Sequence, residues 1–262
     1  MRNIRRTATV AVALLATLFL IPAAAQAKPK QIEQYVALGD SYSSGAGAGA
    51  YSDAVCQRSN NAYPELLADE LGAELSFVAC GGAVTDDVLA GQVDALSEET
   101  DLVTIGIGGN DIGWTEAIAA CITPFHDCTP EIEEAERKAT EELPAKLDAV
   151  YAEIAERSPK AEVYVLGYPR LFAARNTCDA LGSINIAEQE RMNQGADLLS
   201  DVIEEATGGH SFTYVDVRDG FEGHAICDTA PWLHGFTVID VPYHPNVLGQ
   251  RDGYYAEMSE IL

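Results

Sequence analysis

Positive charge is scarce in this chain. Sixteen lysines and arginines stand against 41 aspartates and glutamates, a formal charge of −25 over 262 residues. No basic stripe is left to track a phosphate backbone, which excludes nucleic acid as a partner and disfavours docking on anionic membranes. Long apolar runs are lacking too. The one candidate, residues 10–21, is short for a span, so no stable membrane insertion is expected. No C-x-x-C pair occurs, and six scattered cysteines do not build a structural zinc cluster, so no metal site is expected. Internal repeats, low-complexity tracts and a second-domain boundary are missing, and a monomer is the simplest expectation. The loop 45–50 (GAGAGA) has Ala50 where a dinucleotide fingerprint needs its third glycine, which argues against NAD.

The chain begins like a targeting segment. Arg2, Arg5 and Arg6 precede the apolar run, and Ala25-Gln26-Ala27 is a small-x-small cleavage site. The residues after Arg5-Arg6 do not strengthen a twin-arginine reading, so ordinary secretion is expected. Residues 1–27 read as a signal peptide and 28–262 as a single domain, with secretion following cleavage near Ala27. The mature length of 262 less 27, or 235 residues, suits one generous core. In an oxidising compartment the six cysteines suggest three disulfides. Fifteen pairings are possible. Their order along the chain suggests local ones: Cys56 with Cys80, Cys121 with Cys128, Cys178 with Cys227.

Strand-like runs alternate with helix-like segments. Strands are expected at 35–38, 75–79, 102–107, 162–166 and 212–217. The third, LVTIGI, is an unbroken apolar run of the kind buried on both faces. Helices are expected at 62–71, 112–121, 130–157 (broken or restarted at Pro144), 186–207 and 246–261. Five strands alternating with helices imply an α/β fold. It is a three-layer α/β/α sandwich on a five-stranded parallel sheet, flavodoxin-like in outline.

Three successive strand ends carry residues suited to acyl transfer. Ser41, in Gly39-Asp40-Ser41, follows the first strand. Cys80-Gly81-Gly82-Ala83 follows the second, where a glycine lets a backbone N–H approach a ligand. Gly108-Gly109-Asn110-Asp111 follows the third, where an asparagine N–H₂ suits an oxyanion. In a parallel sheet these ends share one edge. Each motif alone is also an ordinary tight turn. Serine hydrolysis further needs a base. Of the five histidines, His244, in His244-Pro245-Asn246 before the last helix, is the best placed. His126 and His210 read as surface residues, and His224 and His234 stay open. Asp40 reads as a turn residue that fixes the loop. Asp86, Asp87 and Asp111 read as helix-start and turn acids rather than ligands.

The four blocks, GDSYSSG at 39–45, ACGGA at 79–83, GGND at 108–111 and HPN at 244–246, together resemble the SGNH/GDSL hydrolases, and secreted bacterial lipases and esterases among them. The resemblance implies Ser41 as nucleophile, and the Ser41 N–H, Gly82 N–H and Asn110 side chain as the oxyanion hole. It implies His244 as general base and acid, and no cofactor. Local disulfides fit its secreted members. Many relatives carry an aspartate three residues before the histidine. That position here is Val241, and Asp240 lies one residue too early. A backbone carbonyl near Val241 or Pro242 is therefore expected to orient His244, with an Asp240 triad as the alternative. The implied activity is hydrolysis of carboxylic esters, the partner being a small-molecule or lipid ester. An acyltransferase or phospholipase using the same site, and an inactive secreted binding module, are the competing readings. Trp114, Ile118, Phe125, Phe221, Trp232, Leu233 and Phe236 either line an acyl pocket or anchor loops.

Overall fold

The structure is a computed structural model that describes residues 31–179 and 183–262; the expected signal peptide lies outside the described residues. Residues from Ile32 to Leu262 pack as one compact unit. The first strand, β1 (Gln34–Gly39), is followed by a single helical turn, α1 (Ser41–Ser44), and by a small antiparallel ribbon of β2 (Tyr51–Asp53) and β3 (Arg58–Ser59). Helix α2 (Tyr63–Leu71) takes Pro64 in its first turn, where a missing N–H costs nothing, and stops at Gly72. Next come β4 (Glu74–Phe77), α3 (Thr85–Ala90), β5 (Leu102–Gly106), α4 (Trp114–Cys121), α5 (Thr129–Glu141), α6 (Leu143–Arg157), β6 (Glu162–Leu166), α7 (Ile186–Gly208) and β7 (Thr213–Val215). The chain closes with a wide π-helical stretch (Gly249–Tyr255) and α8 (Ala256–Ser259).

The five main strands form one parallel sheet in the order β4-β1-β5-β6-β7. Parallel strands need crossovers, and these place helices on both faces. Alternation along β1 shows the result. Tyr35 and Ala37 enter one core with Tyr63 and Leu67 of α2 and Met258 of α8. Val36 and Leu38 enter another with Val88 of α3, Leu147 and Ile154 of α6, and Ile203 of α7. The sandwich read from the sequence is the observed fold. From β1 the chain moves outward to β4, then returns to β5 on β1's other side. That reversal is a topological switch point, where a crevice opens beyond the carboxyl ends of the strands.

Element boundaries move for local reasons. The helix expected over 130–157 is two helices meeting at Glu142. Pro144 sits in the first turn of α6, where it cannot continue the bonding of α5. The helix expected over 246–261 is helical, but wound wide through Gly249–Tyr255. The strand expected over 212–217 keeps only three paired residues, because it lies at the sheet edge and pairs with β6 alone. Helix α7 starts with a reciprocal cap: Glu188 N–H donates to Asn185 Oδ1 at 3.1 Å and Asn185 N–H to Glu188 Oε2 at 2.8 Å. Disulfides join Cys56 to Cys80, Cys121 to Cys128 and Cys178 to Cys227. The first ties the β2–β3 ribbon to the loop after β4. No described helix is long and apolar enough to cross a membrane.

Candidate active site

The turn after β1 is held from several sides. The Gln92 side-chain amide grips the Gly39 backbone, accepting from its N–H at 2.7 Å and donating to its carbonyl at 2.9 Å. Asp40 caps the helical turn by accepting from the Tyr42 N–H at 2.9 Å. Ser43 Oγ accepts from the Gly106 N–H of β5 at 3.1 Å. These bonds fix the backbone that carries Ser41, which is nearly buried but opens into a cleft.

Ser41 Oγ lies 2.7 Å from His244 Nε2. His244 Nδ1 lies 2.7 Å from the Pro242 carbonyl oxygen. A carbonyl only accepts, so Nδ1 carries the proton. Nε2 therefore presents its lone pair to the serine hydroxyl. Burial pushes the His244 pKa down to about 4, an effect larger than the opposing pull of the Pro242 carbonyl. The ring is thus neutral at pH 7, as a base must be. The Tyr42 ring packs beside it, centroids 5.0 Å apart, and the Tyr42 hydroxyl donates to the Tyr243 carbonyl at 2.7 Å.

Asp240 stands elsewhere. Its Oδ2 lies 3.5 Å from His234 Nε2, and its Oδ1 accepts from the Val241 N–H at 2.9 Å. Val241 lines the cleft. Of the three residues weighed as orienters, Pro242 supplies the atom bonded to the ring. His234 Nε2 is 2.8 Å from the Gly47 carbonyl, His224 stacks on Trp232, and His126 and His210 pair with Glu131 and Asp148.

The strand end after β5 lines the same cleft through Gly109 and Asn110, and the end after β4 is tied to it at Ala83. Asn110 Nδ2 donates to the Ala83 carbonyl at 3.0 Å, which pins the amide while Asn110 lines the cleft beside Ser41. An amide nitrogen has a second N–H to give. Gly82 sits at φ +80°, a left-handed conformation that strains other residues. Its neighbours' N–H groups are engaged: Gly81 with Cys56 O, and Ala83 with Cys80 O. Among the described residues, the N–H groups of Gly82 and Ser41 meet no protein acceptor. Asp111 takes a structural part, accepting from Thr85 N–H, Thr85 Oγ1 and Lys146 Nζ at 3.0, 2.6 and 3.2 Å. Asp87 accepts from the Val84 N–H at the start of α3. Among the described residues no cluster of three His, Cys, Asp or Glu side chains converges as a metal site would.

The matching family model, the GDSL-like lipase/acylhydrolase family, covers residues 37–251. The chain belongs to that family of ester hydrolases. It is 42% identical to a Streptomyces rimosus lipase over 97% of both chains, and 42% identical to Lipase 1 of Streptomyces coelicolor over 87% of this chain and 86% of that one. Among solved structures, the extracellular lipase of Streptomyces rimosus superposes with a TM-score of 0.84 at 41% identity, covering 88% of this chain and 100% of the other. A phospholipase A1 from Streptomyces albidoflavus superposes with 0.83 at 39% identity, covering 87% and 99%.

Beside Ser41 this GDSL-type hydrolase has a cleft of about 270 Å³, walled mainly by apolar side chains of α4, α7 and the loop before His244. Of the seven aromatic and aliphatic residues weighed for an acyl pocket, Trp114 and Ile118 line it. Phe221 and Leu233 are buried in the core with Trp232 packed on them, while Phe125 and Phe236 are exposed. Tyr168 is a residue that motif reading passed over. Its hydroxyl donates to Asp40 Oδ2 at 2.5 Å and accepts from the Gly109 N–H at 3.3 Å. It thereby links the ends of β1, β5 and β6. Its signal was available: Gly167-Tyr168-Pro169 follows the fourth strand on the same sheet edge. Burial raises the Asp40 pKa to about 7, against the lowering effect of the Tyr168 bond.

Proposed function

We propose that the protein is a secreted lipase or esterase in which Ser41 and His244 act as a nucleophile–base pair, with the Pro242 carbonyl orienting the ring. The observation that carries this is the continuous chain of contacts from Ser41 Oγ to His244 Nε2 and from Nδ1 to the Pro242 oxygen, both 2.7 Å. His244 Nε2 takes the hydroxyl proton as Ser41 Oγ attacks the ester carbonyl. Negative charge then develops on the carbonyl oxygen, where the N–H groups of Ser41 and Gly82 and the free N–H of Asn110 Nδ2 receive it. Collapse expels the alcohol, which leaves with the proton from His244. Water attacks the acyl-Ser41 ester by the same route and releases the acid. The Pro242 carbonyl holds the ring in the reactive tautomer and accepts from the imidazolium, as an aspartate does in a triad.

The apolar cleft suits an acyl arm, and relatives named lipase and phospholipase A1 favour a lipid ester. The acidic chain favours an uncharged or zwitterionic lipid over an anionic one, and no nucleic acid. Secretion follows removal of residues 1–27 as a signal peptide, leaving a single-domain monomer that uses no cofactor. The test is fluorophosphonate labelling and p-nitrophenyl ester hydrolysis by wild type and Ser41→Ala. Wild type is labelled and turns over esters; the variant does neither. Equal labelling of both, or no turnover of any ester by wild type, would defeat the proposal. Release of fatty acid from phosphatidylcholine but not from triacylglycerol would move the assignment to a phospholipase.

A further inference from the structure

Helix α7 runs from Ile186 to Gly208 with a glycine, Gly195, buried in its interior. Glycine weakens a helix relative to alanine, so a helical glycine invites a packing explanation. The explanation lies across from it. A Cβ built on Gly195 would sit 2.6 Å from Cη2 and 2.8 Å from Cζ3 of the Trp114 indole, at the start of α4. Ordinary carbon contacts are about 3.5–4.0 Å. The ring therefore rests directly on the α7 backbone. Trp114 also lines the cleft beside Ser41, together with Ala196 and Leu199 of α7 and Ile118 and Ile122 of the α4 side. Both hydrophobic cores pack against the indole, and the cleft borders it as well. A methyl at position 195 would meet the far end of that side chain, which must shift to make room, and the cleft is a space into which it can move.

We propose that Gly195 is a positioning residue for acyl-chain selection: it lets the outer edge of the Trp114 indole seat against the α7 backbone, keeps the ring out of the cleft, and so admits long acyl chains. The inference rests on the ester-hydrolase reading above. The cleft of about 270 Å³ compares with ~150 Å³ for a protein cavity that holds a benzene ring. It therefore has room for an acyl arm well beyond acetyl. Every part of that room that the indole gives up is room the chain loses.

The test is kcat/KM for p-nitrophenyl esters from butyrate to dodecanoate, on full-length wild type, Gly195→Ala, Trp114→Ala and the double variant. A buried methylene contributes about fourfold (~0.8 kcal/mol). Intrusion by one to two methylenes' worth of ring lowers the dodecanoate-to-butyrate ratio in Gly195→Ala by roughly 4- to 15-fold. Butyrate turnover stays close to wild type. In the double variant no indole remains to be displaced, and the ratio returns to that of Trp114→Ala alone. An unchanged ratio, an equal fall for all esters, or a deficit that persists in the double variant overturns the inference. If Gly195→Ala alone does not fold, the double variant decides. A folded protein with the Trp114→Ala profile supports the inference; one that also fails to fold refutes it. Wild type inactive on every ester would sink the hydrolase reading itself, whereas active enzyme with an unchanged ratio sinks only this one.

Discussion

Removing the Asp240 carboxylate separates the two ways of holding His244. In the structure Asp240 Oδ2 is 3.5 Å from His234 Nε2, with its side chain about one-third exposed (35%). The His244 ring is instead bonded to the Pro242 oxygen at 2.7 Å. What Asp240 offers His244 is attraction through space, the smallest of the influences on its pKa. A partly exposed charge interaction of this kind contributes about 1 kcal/mol or less. That bounds the loss in Asp240→Ala at roughly fivefold. An aspartate that orients the base of a triad behaves differently: its loss costs about 10⁴ in kcat. The two expectations differ by some three orders of magnitude, well beyond assay error. The measurement is kcat and kcat/KM on p-nitrophenyl butyrate, with circular dichroism and a thermal melt to certify the fold. The acid limb of the pH profile should also move slightly lower, because the carboxylate raises the His244 pKa and its removal relaxes that pull. A loss beyond about 100-fold in a protein with a native melt would refute the carbonyl as orienter.

Other expectations follow from the same geometry. With the His244 pKa lowered to about 4, kcat/KM should rise through about pH 4 as the ring loses its proton, then stay level to neutrality; a limb near 6.5 would contradict the burial argument. Asn110→Ala should lower kcat by about 10²–10³ with little change in KM, the signature of a lost oxyanion donor, and a loss confined to KM would remove Asn110 from that role. The Asp40 pKa is raised from 3.8 to about 7, so its folded form binds the proton more tightly than its unfolded form. Its contribution to stability is full below about pH 4 and is lost as pH rises through 7, of order 4 kcal/mol in all. Denaturant midpoints of wild type should fall over that window more steeply than those of Asp40→Asn, and parallel curves would refute the assignment.

Much of the fold was legible because the strands advertise themselves. The runs at 102–107 and 163–166 are largely apolar, as strands buried on both faces must be, and they fall in β5 and β6. Helix α7 was equally plain, with a stripe at helical spacing and glycines at its end. The edges were less legible. Residues 212–217 look as strand-like as the others, but β7 has a partner on one side only, and the ladder ends after three residues. That shortening depends on sheet order, which no local run encodes. The wide turn through Gly249–Tyr255 is of the same sort. The periodicity there signals a helix but not its winding.

The site divides along the same line. Ser41, Gly82 and Asn110 stand out in the sequence as candidates because each is a residue of special chemistry placed at a strand end, on the β1, β4 and β5 strands that lie side by side in the sheet. The sequence favours a carbonyl over Asp240 because the usual aspartate position holds Val241, but it does not say which carbonyl, since every residue supplies one and only the path of the chain aims that of Pro242. Tyr168 was missed for the opposite reason. Its role is held in one hydroxyl that accepts from Gly109 N–H and donates to Asp40, and nothing local to Gly167-Tyr168-Pro169 names those partners. Yet this hydroxyl joins the turn that carries Ser41 to the turn that carries Asn110. A nucleophile and an oxyanion donor on separate strands work only if their spacing is held to a fraction of an ångström. The ladder places the two turns side by side, and the buried Tyr168 hydroxyl adds a direct tie between them. The sequence therefore points to candidate reacting groups more readily than to the group that ties their turns together.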